Sequence, residues 1–169
     1  MVLLLKSYAC RGLALLDEAG DWCGLLLLRM LVGWEFLDSG WTKFTGENWF
    51  ADIQDQFPFP FSLVPPEISW QMATWFELLG GLALIIGLAT RFFSLSLIIL
   101  TVVAILSAHW PEEWHGLAEL AQGYVLTDEG HGNFKLPLIL LVMLTPMLFS
   151  GPGKLSIDAW IRRHFVSNS

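Results

Sequence analysis

The sequence has few cysteines, few basic residues and none of the short motifs that mark common soluble enzymes. Cys10 and Cys23 are its only cysteines and form no Cys-x-x-Cys pair, so dithiol exchange has no support and both are interpreted as small apolar side chains. The sequence contains no Gly-x-Gly-x-x-Gly, P-loop or Gly-x-Ser-x-Gly motif, which leaves nucleotide binding and serine hydrolysis without support. Residues 45–69 and 111–133 lack Lys and Arg and are acidic, which argues against nucleic acid as a partner.

The most prominent feature of the sequence is a set of long apolar runs. Hydrophobic residues make up 54% of the chain, charged residues only 15%, and the mean hydropathy is +0.56. Four runs approach the ~20 helical residues that cross a ~30 Å hydrocarbon layer. They cover about 24–44, 70–90, 92–110 and 134–150. We therefore predict an all-α membrane protein, a four-transmembrane-helix bundle with interfacial amphipathic helices, forming one domain over residues 1–169.

The segments outside the four runs are predicted to lie on the membrane surface. Residues 1–22 are interpreted as a cytoplasmic interfacial helix that turns near Gly20 into the first span. A cleaved signal peptide is the alternative, but no clear small-residue cleavage site follows. Residues 154–169 are interpreted as a second cytoplasmic surface helix. In the first acidic loop, aromatic residues at helical spacing predict a short helix, and residues 57–61, Phe-Pro-Phe-Pro-Phe, are expected to run extended over the bundle mouth.

Basic residues predict the orientation. The loops 45–69 and 111–133 contain none, whereas the segments on the other side contain six, and the rule that such residues stay inside places both termini in the cytoplasm and the two acidic loops outside. The residues that set this orientation are Lys6, Arg11, Arg91, Lys154, Arg162 and Arg163.

Ionisable residues inside the apolar runs are the main functional signal, because a charge at the bilayer centre costs roughly 2.5 to 3.5 kcal/mol even on lenient scales. Helical geometry places Arg29, Gly33, Gly40 and Lys43 on one stripe of the first span, and Glu35 and Asp38 on another face. On the second span, one side carries Glu77, Gly80, Gly81 and Arg91. The glycines predict a close approach of the two helices. Arg29, Lys43 and Glu77 could form ion pairs that only stabilise the packing of the helices. The sequence supports this structural interpretation as well as it supports a functional role.

Residue depth predicts a polar pocket near the outer leaflet. Asp38 and Glu77 lie at nearly equal depth, and the ends of neighbouring spans bring other polar groups to the same level. The predicted pocket comprises Asp38, Lys43, Glu77, His109 and Lys135, with Glu35 deeper and Trp34, Trp41 and Trp110 as walls. For each residue alone, snorkelling of lysine or interfacial anchoring of tryptophan is the simpler interpretation.

A metal site is a weaker hypothesis for the outer loops. His109, His115 and His131 could bind copper or zinc together with Glu112 or Asp128. No His-Glu-x-x-His motif supports this site.

Three stretches of sequence resemble the DoxX family of small four-span bacterial membrane proteins. They are LLLLRMLVGWEFLDSGWTKFTGENWF (25–50), FELLGGLALIIGLATRFF (76–93) and GNFKLPLILLVMLTPMLFSGPGKLSID (132–158). The combination that carries the resemblance includes Arg29, Lys43, Glu77, Arg91, Asn133 and the glycines named above. Within the family, residues 34–36, residues 46–50 and the long acidic loop look like the HvfX subgroup.

The resemblance implies a multi-pass protein of the bacterial inner membrane, encoded beside enzymes that mature copper-binding, cysteine-modified peptides. It also implies redox work at the membrane. Glu35, Asp38 and the long second outer loop depart from the general family pattern, so thiosulfate chemistry is not carried over.

The leading hypothesis is a redox accessory that binds a quinone-like or other amphipathic molecule, with no cofactor fixed by the sequence. Glu77, Asp38 and Glu35 would handle protons, with Arg29 and Lys43 setting their charge, and the ligand would contact the pocket residues together with Asn133. Membrane lipids, a redox partner, a peptide-maturation enzyme and a second copy of the chain are the candidate partners. The alternatives are a non-catalytic scaffold that recruits such an enzyme or its substrate, and, less favoured, transport of a small molecule or metal.

Overall fold

The structure is a computed structural model that describes residues 2–127 and 130–166. Every regular element among these residues is helical. The four long helices are α1 (Val2–Thr45), α2 (Pro66–Ile86), α3 (Thr90–Ala104, extended by a π-helical turn, Ile105–His109) and α5 (Lys135–Ser150). Shorter elements are two 3₁₀-helices (Phe50–Gln56 and Phe61–Leu63), α4 (Leu117–Gln122) and α6 (Ile157–Ile161), which a π-helical turn continues (Arg162–Val166). The all-α prediction is confirmed for these residues.

One helix is both long and apolar enough to cross a membrane by itself, among the residues for which the structure is described. It is Thr90–His109, with 20 residues and a mean hydropathy of 2.2, whereas Lys135–Ser150 is apolar but shorter. α1 and α2 are long enough to cross but carry the ionisable residues discussed above. The four-span arrangement stays a prediction.

α1 is continuous through Gly20, where the sequence predicts a turn. The prediction of a separate helix over residues 1–22 is wrong in this respect, because the segment contains no proline and a single glycine costs a helix only about 1 kcal/mol. Residues 10–24 of α1 are almost entirely exposed. Within the described part of the chain, no atom of another element lies within 4 Å of the Cβ position at Gly12, Gly20 or Gly24, so no other helix there packs against α1 at these glycines.

The helices pack in the order α1, α2, α3, α5, and α1 also contacts α5. Glycines set the spacing of α1 and α2: a Cβ at Gly81 would lie 2.6 Å from the Gly33 carbonyl oxygen, and one at Gly40 would lie 2.9 Å from Leu78 N. Backbones can approach this closely only where side chains are absent. The buried centre of the bundle consists of Val32, Phe36, Leu84, Leu97, Leu144 and Met147.

Two prolines in α5 leave the helix intact. Pro137 lies in the first turn, where its missing N–H has no helical partner to lose. Pro146 removes the bond to the Val142 carbonyl, and that oxygen accepts a bond from Thr145 Oγ1 at 2.7 Å instead. α5 therefore continues to Ser150 rather than being shortened by these prolines.

The turn between α2 and α3 is fixed by a residue from the far end of the chain. α2 ends at Gly87, which has a left-handed conformation (φ 71°). The carboxylate of Asp158 accepts bonds from the N–H groups of Ala89 (2.7 Å) and Thr90 (2.8 Å) and so caps α3. Asp158 N in turn donates to the Gly87 carbonyl at 2.9 Å. The segment after α5 is thereby bound to this end of the bundle.

Candidate functional site

A buried ion pair joins the last turn of α1 to the middle of α2. Lys43 Nζ lies 2.8 Å from Oε2 and 3.0 Å from Oε1 of Glu77, and it also donates to Ser39 Oγ at 2.9 Å. The Glu77 side chain is 4% exposed and the Lys43 side chain 16%. Gly40, which lies between Ser39 and Lys43 on α1, has no side chain and so lets α1 approach Glu77 Cβ. The two charges are therefore largely removed from solvent and satisfied by each other.

The ion pair forms the polar wall of a cavity of about 310 Å³, here called the outer cavity. Its walls come from α2, α3, the π-helical turn and the 3₁₀ segment, and they are mostly apolar. The lining residues are Lys43, Trp49, Phe50, Phe57, Phe61, Ser69, Met72, Ala73, Phe76, Glu77, Ser96, Ile99, Leu100, Val103, Ala104, Ser107, Ala108 and His109. A mostly apolar cavity with a few converging polar groups is typical of a small-molecule site.

The first loop covers the outer cavity with aromatic side chains. Phe50 packs edge-on against Trp70 (ring centroids 5.0 Å apart) and against Phe57 (5.2 Å). The Asn48 side chain accepts a bond from Phe50 N, and Gln54 Nε2 donates to the carbonyls of Ser62 and Val64. Residues 57–61 do not run extended as predicted. They form a turn in which Phe61 N donates to the Pro58 carbonyl at 2.8 Å, because proline presets the backbone angles that turns use.

His109 brings a third ionisable group to the outer cavity. It ends the π-helical turn, and its Nδ1 hydrogen-bonds Asn133 Oδ1, while Asn133 N donates to the His109 carbonyl at 3.1 Å. These bonds tie the end of α3 to the residues that precede α5. Single π-helical turns of this kind occur frequently at functional sites. Lys43, Glu77 and His109 are thus the predicted site residues that the structure brings to one cavity.

Several other residues predicted for the pocket lie elsewhere. Asp38 is exposed and Glu35 half-buried, and neither lines the outer cavity. Trp34 and Trp41 are exposed, and Trp41 stacks on Phe44 instead. These four residues fall on faces of α1 that do not line the outer cavity. The prediction used the position of each residue along the helix axis but not the direction in which its side chain faces, and it therefore assigned these residues to the pocket wrongly.

Residues next to α5 form a separate cluster beside the cavity. Trp110 stacks on Phe134 with ring centroids 5.4 Å apart. Lys135 Nζ lies over the Tyr124 ring, 5.2 Å from its centroid, and not beside Glu77. The cation–π contact satisfies Lys135 within the second loop.

Arg29 lies near the α2–α3 turn, away from Glu77. The prediction that Arg29 pairs with Lys43 and Glu77 is therefore wrong. The separation of Arg29 from Lys43 along α1 is about 21 Å, at 1.5 Å per residue. Arg29 is 1% exposed and its Nη2 donates to the Leu155 carbonyl at 2.5 Å. Asp158 is near enough to interact with it electrostatically. Arg91 lies at this end as well, where its Nη2 donates to the Phe149 carbonyl at 3.2 Å.

The histidines considered for a metal site are dispersed. His115 Nδ1 contacts Glu119 Oε2 at 3.3 Å, away from the His109–Asn133 pair. Over residues 2–127 and 130–166, no group of three or more His, Cys, Asp or Glu side chains is placed to hold a metal ion. Asp128, which the sequence offered as a ligand, lies outside the described residues.

Several cavity residues escaped prediction from the sequence. Ser39 lies four residues before Lys43, and this spacing alone could have revealed it as a partner. On α3, the spacing of Ser96, Ile99, Leu100, Val103 and Ser107 marks one helical face. The aromatic residues of the first loop could not be assigned to the cavity, because no local pattern specifies how a loop folds back over a bundle.

Comparison with known proteins places the chain in a family. The DoxX family model matches residues 24–110, which include α2, α3, the π-helical turn and the part of α1 that carries Arg29 and Lys43. A relative from Haemophilus influenzae, described as an uncharacterized protein, is 43% identical over 150 residues, covering 89% of this chain and 91% of the relative. No solved structure shows significant similarity to the chain. The protein belongs to the DoxX family of membrane-associated proteins.

Proposed function

We propose that the protein is an inner-membrane redox accessory whose outer cavity binds a quinone-like amphipathic molecule. The observation that carries this proposal is the Lys43–Glu77 ion pair on the wall of an otherwise apolar cavity. An apolar wall suits the ring and isoprenoid chain of a quinone, and the ammonium group of Lys43 can donate to a quinone carbonyl oxygen. The volume of about 310 Å³ falls within the ~300 to 1,000 Å³ usual for ligand sites.

The same residues could support proton transfer at the quinone. Reduction of a quinone to a quinol takes two electrons and two protons, and the electrons would come from a redox partner protein. Glu77 lies where it can give a proton to, or accept one from, a quinone oxygen bound beside Lys43. His109, at the π-helical turn, is the second ionisable group at the cavity and would exchange protons with the outer side. Asp38 and Glu35 have no part in this scheme.

Four membrane-spanning segments are part of the proposal: residues 24–45 of α1, then α2, α3 with its π-helical turn, and α5. Their outward faces carry large hydrophobic side chains that are exposed in the isolated chain, as expected where lipid covers the surface. Examples are Leu27, Leu31, Leu79, Leu82, Leu95, Leu106 and Val142. The basic residues at the α2–α3 turn and in the tail favour a cytoplasmic location for that end, so the outer cavity would face the outer leaflet.

Binding of short-chain quinones to the purified protein tests the proposal. In lipid nanodiscs, a short-chain benzoquinone and a short-chain naphthoquinone should quench the tryptophan fluorescence near the cavity in a saturable manner. Glu77→Gln and Lys43→Met should each weaken binding by at least about tenfold, because each removes a polar contact from an apolar site. Asp38→Asn removes an exposed carboxylate of the same helix and should leave binding unchanged. Equal quenching of all four proteins would rule the proposal out.

A scaffold function is a second proposal, favoured by the exposed half of α1. Residues 10–20 are exposed along their whole length, and the tail displays the aromatic side chains of Trp160 and Phe165. Such surfaces could recruit a peptide-maturation enzyme or its substrate, the role that the HvfX-like residues 34–36 and 46–50 suggest. Deleting the tail from Leu155 is not a clean test, because Arg29 and α3 need Leu155 and Asp158. Trp160→Ser/Phe165→Ser should instead lose a partner in pull-downs while quinone binding persists.

A further inference from the structure

An open groove lies at the tail end of the bundle, far from the outer cavity. It has a volume of about 400 Å³ and is here called the tail groove, lined by residues that include Trp22, Ile86, Lys154, Ile157, Trp160 and Arg163. Its position follows from the two anchors of the segment after α5: Arg29 binds the Leu155 carbonyl, and Asp158 caps α3. The groove is therefore built by the fold and does not depend on a loose terminus.

The charge of the tail groove is positive. Lys154 and Arg163 both line it, and none of the described residues that line it is acidic. The nearest tail carboxylate, Asp158, is already bound to the N–H groups of Ala89 and Thr90. Asp21 does contact Lys154 Nζ at 2.6 Å, but the two side chains are 62% and 47% exposed, so water screens this pair and an anion can replace it.

The donors at the groove are matched to a phosphate. Arg163 Nη2 donates to the Lys154 carbonyl at 2.7 Å, which uses one of five guanidinium donors and fixes the arginine beside Lys154. Lys154 Nζ also lies over the Trp22 ring, 5.8 Å from its centroid. Arginine and lysine side chains are both used to bind phosphate oxygens in proteins.

The remaining walls suit a lipid. Ile86 and Ile157 are apolar lining residues of the groove, and Trp22 and Trp160 also line it while staying partly exposed. Tryptophans are enriched at the level of lipid headgroups, where one end of the ring is wet and the other apolar. We propose that the tail groove binds the phosphate headgroup of an anionic phospholipid, with the first part of an acyl chain against the isoleucines. This site is independent of the chemistry in the outer cavity.

Native mass spectrometry of the full chain in mild detergent tests the proposal. Dioleoyl phosphatidylglycerol and dioleoyl phosphatidylcholine share their acyl chains and differ in headgroup charge, and glycerol 3-phosphate reports binding of the phosphate alone. We expect phosphatidylglycerol to bind with a preference over phosphatidylcholine that falls roughly fivefold for each basic side chain removed in Lys154→Gln and Arg163→Gln. The matched control Arg11→Gln/Arg162→Gln removes the same charge from exposed positions outside the groove and should keep the preference.

Three outcomes would overturn the proposal. They are equal binding of the two lipids, an equal loss in the control variant, and competition by glycerol 3-phosphate at the same concentration as the lipid, which would indicate an adventitious phosphate site. Lys154→Arg keeps the charge and should keep the preference, so it guards against a variant that merely misfolds. Glu77→Gln should bind phosphatidylglycerol normally, which separates a failure here from a failure of the quinone proposal.

Discussion

Lys43 Nζ lies 2.8 Å from Glu77 Oε2, and this contact joins α1 and α2 at the wall of the outer cavity. Both residues come from helices that glycines hold unusually close, so the side chains meet without leaving a gap for solvent. A buried pair of this kind stabilises little in itself, since the loss of hydration offsets most of the attraction. The proposed ligand site therefore rests on the position of this pair at the cavity and not on a contribution to stability.

Removing the lysine alone from the ion pair should destabilise the protein strongly. Lys43→Met leaves the Glu77 carboxylate buried without its partner, and a change of this type costs about 3 to 5 kcal/mol. The double variant Lys43→Met/Glu77→Leu removes both charges and should recover most of the loss. Thermal unfolding of the purified proteins in one detergent, followed by circular dichroism, measures both effects.

The exposed acid Asp38 supplies the control for that experiment, since Asp38→Asn should shift the unfolding midpoint little. Additive losses in the double variant would show that Lys43 and Glu77 do not act as a pair, contrary to the structure.

Gly81→Ala should separate α1 from α2. The new Cβ would lie 2.6 Å from the Gly33 carbonyl oxygen and 2.9 Å from Leu37 N, both rigid backbone atoms. We expect a loss of about 1 to 3 kcal/mol, as for other overpacked sites, together with weaker quinone binding because the wall of the cavity moves. Gly24→Ala meets nothing within 4 Å and should be neutral or slightly stabilising. Matching unfolding midpoints for the two variants would contradict the close packing of this seam.

Asp158→Ala should release the tail from the α2–α3 turn. It removes both bonds to Ala89 N and Thr90 N, and loss of a helix cap costs about 0.5 to 2 kcal/mol. Hydrogen exchange should rise at Ala89 and Thr90 and across residues 154–162, but not at Glu77. Asp21→Ala, which removes an exposed tail contact instead, should leave exchange at Ala89 unchanged. If the Ala89 amide stays protected from hydrogen exchange in Asp158→Ala, the cap does not stabilise the turn.

Apolar runs predicted much of the helical architecture. The runs at 70–90, 92–110 and 134–150 lie close to α2, to α3 with its π-helical turn, and to α5. A short helix was also expected in the first acidic loop, and the 3₁₀-helix Phe50–Gln56 lies there. The junction at Gly20 could not be predicted, because whether one glycine bends a helix depends on the contacts around it, and residues 10–24 have almost none.

The candidate site was predicted only in part, for reasons of geometry. Glu77 and Lys43 were recognised because charge is rare in apolar helices, and the glycines indicated which faces meet. Lys135 illustrates the limit: its depth matched the pocket, but Tyr124 from the second loop attracts it instead. Arg29 was assigned to the same seam because it shares the Lys43 stripe, and its distance along α1 places it with the tail. The sequence indicates the helix face on which a residue lies and its position along the helix. Which partner the side chain contacts also depends on distant loops, whose folding the sequence pattern does not specify.

Thiol labelling at Cys10 tests the proposed orientation. Both cysteines are free and exposed, so each should react with maleimides in the folded protein. With Cys23→Ser in place, a membrane-impermeant maleimide should leave Cys10 unlabelled in intact spheroplasts and label it in inside-out vesicles. Glu47→Cys, in a background that lacks both native cysteines, should show the reverse, since Glu47 is exposed in the first acidic loop. Labelling of Cys10 from outside intact cells would invert the topology and would place the outer cavity in the cytoplasmic leaflet.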